Sequence, residues 1–249
     1  MDQNVIRKIM ESCELSAEDN VLEIGPGEGA ITKIIAPKVK NLTAVEKDRE
    51  LAEKLTADFI TSQHIKIIHD DILKYPFETI APQTKLIGNL PYNISTPVIE
   101  KILNYKQQFS SIFIMVQLEY GQRLTAKPHT KDYSSFTLFV NYHADIKMLF
   151  KINRTAFQPQ PKVQSCFLKL TPKNPTHPTN EKLLFNIIRS AFQQRRKTIE
   201  NSLSGICSKE KIHALLKSLN LDHRLRAENL LLEDYQRITE KLAKGESEN

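Results

Sequence analysis

Residues 88–95 read Gly-Asn-Leu-Pro-Tyr-Asn-Ile-Ser, and the order of these residue types constrains what they can do. Pro91 fixes its own φ and drives Leu90 into an extended conformation, so no helix starts there. The chain therefore leaves the preceding Lys85-Leu86-Ile87 run in a tight, exposed turn. Pro91 has no N–H, so the Leu90 carbonyl cannot bond forward, and it can converge with the Asn89 side-chain oxygen on one point. Two acceptors facing one point suit an NH2 group. The exocyclic amine of adenine is a weak nucleophile because its lone pair is delocalised into the ring. Holding both of its hydrogens favours the pyramidal, reactive form and removes the need for a general base. Tyr92 adds an aromatic face on which an unstacked base can lie. The alternative is a strand-terminating Asn-x-Pro turn with Tyr92 in the core.

Such a turn must sit at a strand end, and the preceding sequence supplies the sheet. An amphipathic helix opens the chain, with Val5, Ile6, Ile9, Met10 and Cys13 at helical spacing, ending near Leu15. VLEIGPGEGAIT (21–32) then runs an apolar strand into Gly25, Gly27 and Gly29, which let the backbone turn sharply and approach a ligand. A helix (30–36), a strand (42–45), a helix (49–59) and a strand (65–68) follow. This βαβαβ alternation implies a parallel sheet with right-handed crossovers. Glu46 ends the second strand, where a carboxylate accepts from ribose hydroxyls. Asp71 follows the third strand and Asn89 the fourth, all at the carboxyl edge where open α/β sheets bind ligands. The glycine loop alone also fits a plain strand–helix turn or a nicotinamide-nucleotide site. Its G-x-G-x-G spacing lacks the last glycine of G-x-G-x-x-G, and a sulfonium cofactor has no pyrophosphate to hold, so S-adenosylmethionine fits better. Glu23 is read either as lying near that cofactor's positive end or as a solvated strand-end carboxylate.

Beyond the turn, Thr96 and Pro97 are expected to cap and open a helix reaching Leu103. Strands are expected at 111–118, 136–142 and 163–170, with a helix at 119–126 and an antiparallel edge formed by the late strands. Phe157, Pro159, Pro161 and Lys162 share a stiff loop. Phe157 could be a second stacking face and Lys162 a phosphate contact, or the loop is simply proline-rich with a plugging aromatic. TPKNPTHPTN (171–180) reads as an interdomain linker. From 181 the chain reads as helical, with Leu184, Ile188 and Phe192 on one face, followed by the basic cluster Arg195-Arg196-Lys197. The expected organisation is an α/β domain over 1–172 and a small all-helical domain over 180–249.

The chain has 249 residues, 35 Lys and Arg against 29 Asp and Glu, a balance that permits a polyanionic partner without requiring one. Residues 180–249 hold 13 Lys and Arg against 10 Asp and Glu, so the basic cluster also reads as an ordinary solvated face. Cys13, Cys166 and Cys207 are odd in number and lack C-x-x-C spacing, so neither a disulfide framework nor a zinc site is indicated, and the histidines show no ligand spacing. No metal is expected. Neither a leader peptide nor a membrane span is read, and the expected location is the cytoplasm.

Taken together, VLEIGPGEGAIT, AVEKD, HDDIL, GNLPYNIS, FQPQPKV and AFQQRRKTIENSL resemble, in order and over nearly the whole chain, the ribosomal RNA adenine N6,N6-dimethyltransferases, small-subunit branch. The resemblance implies a Rossmann-like S-adenosylmethionine-dependent methyltransferase sheet with a helical C-terminal domain. It implies that Gly25, Gly27, Glu46, Asp71 and Asn89 bind the cofactor, with Glu46 on the ribose and Asp71 on the adenine amine. Asn89, Leu90, Tyr92 and Phe157 would hold the target adenine, and Lys162, Arg195, Arg196 and Lys197 would face RNA. It further implies two methyl groups on each of two adjacent adenines in a hairpin near the 3′ end of small-subunit RNA. A pre-30S-type particle would be the partner, and the enzyme a monomer. The large-subunit, antibiotic-resistance branch is the alternative within the enzyme class, and a non-catalytic RNA-binding assembly factor the alternative outside it. Gln117-Leu118-Glu119 stands for the family's Gln-Lys-Glu, and Ser134 for a usual glycine. The family's G-Q-N-F-L segment before Asn4 is absent from this sequence, which reads as an N-terminally shortened chain expected to hold the cofactor weakly at its methionine end.

Overall fold

The computed structural model describes residues 2–175 and 180–246. The chain divides into two compact units, Met1–Gly121 with Ala144–Lys173, and Gln122–His143 with Asn174–Asn249.

The first unit is a seven-stranded sheet. Its strands are β1 (Asn20–Ile24), β2 (Asn41–Glu46), β3 (Ile65–His69), β4 (Thr84–Asn89), β5 (Phe109–Gln117), β6 (Ala144–Ile152) and β7 (Ser165–Pro172), in the order β3-β2-β1-β4-β5-β7-β6. The first five are parallel, and β7 runs antiparallel to both β5 and β6. The expected parallel half and antiparallel edge are therefore both present. Helix α1 (Gln3–Cys13) buries Ile6, Ile9, Met10 and Cys13, is capped by Asp2, and stops at Glu14 in the left-handed region. Those apolar side chains share one core with Val21, Leu42, Ile87, Phe113 and Phe167 of the sheet. Burial drives the Cys13 thiol up to about 12 and that of Cys166 up to about 11, which leaves both as inert packing groups. Helices α2 (Thr32–Ile35), α3 (Arg49–Asp58), α4 (Ser95–Asn104) and α5 (Leu118–Leu124) complete the crossovers.

Two of the expected elements are corrected. Helix α4 starts at Ser95 with Ile94 as its cap residue and no side-chain cap, because the Ser95 hydroxyl turns back to the Pro91 carbonyl (3.0 Å). Thr96 is thus inside the helix. The run at 136–142, expected as a strand, is helix α6 (Ser135–His143), with Thr137, Leu138, Val140, Tyr142 and His143 buried. An apolar run buried on several faces carries no period that separates strand from helix. The telling signal lies just before it: Ser134 Oγ accepts from the Thr137 N–H (3.2 Å) and Thr137 Oγ1 from the Ser134 N–H (3.1 Å), a reciprocal cap. The strand belongs to Ala144–Ile152, where Ala144, Ile146, Met148, Phe150 and Ile152 recur at every second position and only Leu149 breaks the alternation, a strand signal in the sequence that the run before it obscured.

The second unit is all-helical, with α6, α7 (Glu181–Gln193), α8 (Ile199–Ser202), α9 (Lys209–Ser218) and α10 (Leu232–Glu246). Leu184, Ile187 and Ile188 are fully buried among Tyr133, Leu138, Tyr142, Tyr235 and Ile238. Residues 122–143, placed by the sequence in the first domain, therefore pack with the helical unit: Tyr142 meets Phe185 edge-on at 5.3 Å and Tyr133 lies 6.1 Å from Phe192. The expected linker begins after β7 takes Thr171 and Pro172, and residues 176–179 of it lie outside the described residues. No described helix is long and apolar enough to cross a membrane.

Candidate active site

The parallel strands bring Gly25, Glu46, Asp71 and Asn89 to one edge of the sheet, at or just past the ends of β1, β2, β3 and β4. Gly25 adopts φ +65° and its N–H bonds the Val45 carbonyl (3.0 Å). A Cβ there would stand 3.2 Å from the Asn89 carbonyl oxygen, so only glycine lets the loop lie against the Asn89 turn. Glu46 is buried, and both of its oxygens accept backbone N–H groups, Oε2 from Gly27 (2.9 Å) and Oε1 from Asp48 (2.9 Å). It thus shapes the glycine loop and the start of α3, a second role that strand-end position alone did not reveal. A carboxylate oxygen has lone pairs left over from one such bond.

Asp71 accepts from the Leu73 N–H (3.0 Å) and pairs with Lys47 (2.8 Å). The Lys47 ammonium holds its carboxyl below the usual range. The turn after Asp71 is clasped by a residue that sequence spacing did not single out. Lys101, on α4, donates to the carbonyls of Ile72 (3.2 Å), Leu73 (2.8 Å) and Tyr75 (2.6 Å) and sits 4.8 Å over the Phe77 ring. Glu23 is not a solvated strand-end carboxylate: it is 2% exposed, and its Oε2 and the Thr32 Oγ1 are both buried without a hydrogen-bond partner. Burial raises its carboxyl to about 7; the nearby Thr32 hydroxyl lowers it and the Glu46 charge raises it.

The Leu90 N–H bonds the Met115 carbonyl (3.1 Å) and its side chain is buried, which fixes the position of the Leu90 carbonyl. Among the described residues the exposed Asn89 amide has no hydrogen-bond partner in the chain, so its acceptor is available. The Tyr92 hydroxyl bonds Ser165 Oγ of β7 (3.0 Å) while the residue stays 39% exposed. The ring is therefore anchored at its tip with a face open, rather than buried in the core. Asn89, Leu90, Pro91, Tyr92, Phe157, Pro159 and Pro161 line one open cavity of about 250 Å³. Phe157 is half-buried, and Lys162 is exposed on the same loop.

In the helical unit the basic cluster splits. Arg195 donates to the carbonyls of Lys131 (2.8 Å) and Tyr133 (2.9 Å), pairs with Glu228 (3.2 Å), and lies 5.9 Å over the Phe192 ring. Arg196 and Lys197 are exposed, and among the described residues neither enters an ion pair.

The edge as a whole carries carboxylates, Glu23, Glu46 and Asp71, beside a glycine loop whose Gly27 faces open space. That set suits hydroxyl, amine and cationic groups and would repel a pyrophosphate. Comparison with known proteins agrees with the fold. A dimethyladenosine transferase from Plasmodium falciparum superposes with a TM-score of 0.87 at 23% identity, covering 98% of this chain and 96% of that one. The 23S rRNA methyltransferase ErmE superposes with a TM-score of 0.76 at 24% identity, covering 98% of each chain. The architecture is accordingly the Rossmann-like fold that these two methyltransferases share. In sequence, the Ribosomal RNA small subunit methyltransferase A of Clostridium acetobutylicum is 37% identical over 97% of this chain and 90% of its own length. The family model described as Ribosomal RNA adenine dimethylase matches residues 1–244. The chain belongs to the ribosomal RNA adenine dimethylase family.

Proposed function

We propose that this protein dimethylates the N6 amines of two adjacent adenines in a hairpin loop near the 3′ end of small-subunit ribosomal RNA, with S-adenosylmethionine as methyl donor, during small-subunit assembly. The observation that carries the reading is the cavity that Asn89, Leu90, Tyr92 and Phe157 line together, with Gly25 of the glycine loop against the Asn89 carbonyl. An adenine held between the two aromatic side chains presents its amine to the Asn89 oxygen and the Leu90 carbonyl. Those two acceptors draw on its hydrogens and free the nitrogen lone pair, so no side chain needs to take a proton before transfer. Small-subunit RNA, rather than large, follows the name of the Clostridium relative.

The residues present fit the cofactor. Gly25 and Gly27 would admit it, Glu46 would accept from its ribose, Asp71 from its adenine amine, and Asn89 would flank both it and the target base. When bound, it supplies an electrophilic methyl group on a sulfonium. Lys101 keeps the Asp71 turn in shape. Replacing Glu46 by Ala removes a charge-assisted hydrogen bond worth about 1.5 to 3 kcal/mol and loosens the glycine loop that Glu46 braces. Cofactor affinity should fall by roughly ten- to a hundredfold. Calorimetry giving the parent's affinity would sink the Glu46 assignment.

The sheet unit is the catalytic part and the helical unit the RNA-facing part, in a cytoplasmic monomer acting on a pre-30S-type particle. Lys162, Arg196 and Lys197 would meet phosphates, whereas Arg195 chiefly holds the loop at 131–133. Reversing the charges of Arg196 and Lys197 should weaken binding to small-subunit particles. The slope of log affinity against log salt should drop by about one per lost phosphate contact, with cofactor affinity unchanged. An unaltered slope returns the two side chains to an ordinary solvated surface.

A further inference from the structure

We propose that Glu200, His213 and His223 form a binding site for one divalent transition-metal ion of the zinc class in the helical unit. The three residues come from α8, from α9 and from the loop after α9, so no short spacing in the sequence announces them. The fold nevertheless places one ligand atom of each within 4.8 Å of the others. Glu200 is 8% exposed, and His213 Nδ1 lies 2.8 Å from its Oε1. The His213 and His223 rings are 4.8 Å apart between centroids. A carboxylate taken out of water needs a strong compensating partner, and here it meets two imidazoles that converge on it from the solvent side.

The donor set selects the ligand. Two imidazole nitrogens and one carboxylate oxygen suit zinc, nickel, cobalt or copper, whereas calcium and magnesium demand oxygen cages. Bonds of about 2.0 Å in a tetrahedron set the donors roughly 3.3 Å apart. Admitting an ion therefore opens the Glu200–His213 contact by about half an ångström and draws His223 inward. Both movements are side-chain rotations, since the imidazoles are 50% and 43% exposed. The fourth position falls to water. Asp222 is adjacent in sequence but already committed, its carboxylate gripped by the Arg224 guanidinium at 3.0 and 3.1 Å. An ion at this point would tie the short α8 to α9 and to the following loop, a staple within a unit whose small helices have little propensity of their own.

The test uses the full chain, stripped with EDTA and titrated with zinc or cobalt(II) alone. One equivalent of zinc should bind saturably, and cobalt(II) should develop the visible absorption of a four-coordinate site. At zinc a hundredfold above its dissociation constant, the thermal midpoint should rise by roughly 5 °C or more. His213→Ala and His223→Ala alter half-exposed side chains and should leave the metal-free midpoint near the parent's, while each weakens zinc binding at least tenfold. Glu200→Gln should weaken it likewise. Methylation by metal-free His223→Ala should match that of the metal-free parent. No saturable zinc binding by the parent, or equal binding by a His213→Ala/His223→Ala double variant, would overturn the proposal and leave Glu200 and His213 as a plain hydrogen-bonded pair.

Discussion

Asn89→Ala should slow methyl transfer by roughly a hundredfold or more while changing stability by less than about 0.5 kcal/mol. The side chain is exposed and makes no hydrogen bond within the described chain, so the fold loses little. On the proposed mechanism the transfer loses one of two acceptors for the amine, and a single one cannot hold both hydrogens. The partner acceptor survives, because the Leu90 carbonyl is set by the Leu90 N–H bond to Met115. Single-turnover rates with saturating cofactor isolate this effect from binding. In the parent the same measurement should be flat across neutral pH, since no titrating base takes part. A parent rate governed by one ionisation near neutrality that persists in Glu23→Gln would refute the two-acceptor mechanism, and an Asn89→Ala variant as fast as the parent would remove Asn89 from it.

Glu23→Gln should make the protein more stable at pH 8 by about 3 kcal/mol and leave it unchanged near pH 4.5. Burial lifts the Glu23 carboxyl from 4.5 to about 7 in the folded chain. Below pH 4.5 the group is protonated in both folded and unfolded states, and its neutral form costs nothing extra. As pH rises towards 7 the unfolded chain releases the proton first, and the folded state loses relative stability over that window. Glutamine cannot ionise, so the loss disappears. Denaturant titrations at pH 4.5 and 8 measure the difference. An equal effect of the substitution at both pH values would show that Glu23 ionises freely, contrary to its burial.

Much of the site was legible because its logic is local. Pro91 dictates the turn, the three glycines dictate the loop, and alternating strands and helices dictate a common edge for Glu46, Asp71 and Asn89. What escaped depends on partners distant in sequence. The run at 136–142 looks like a strand until Tyr142 and Leu138 are seen to pack among the C-terminal helices, with Ser134 capping the helix they form. Arg195 looks like one of three equal cations until Lys131, Tyr133 and Glu228 close around it. Glu23 looks like a solvated strand end until Thr32 and α2 are folded over it. Lys101 and the Glu200–His213–His223 cluster carry no motif at all: each is defined by carbonyls or donors that only the folded chain brings together. Ser134 supplies that cap through its own hydroxyl, which accepts from the Thr137 N–H.

Incubating the full chain with methyl-labelled S-adenosylmethionine and separate undermethylated small and large subunits, then digesting the RNA and mapping the label, shows whether the cavity at Asn89 delivers methyl groups to adenine N6 in small-subunit RNA. The expected result is N6,N6-dimethyladenosine at two adjacent adenines of the 3′ hairpin of the small-subunit RNA, with the large subunit unlabelled. Label in large-subunit RNA, or binding to small-subunit particles with no label in either, would contradict it.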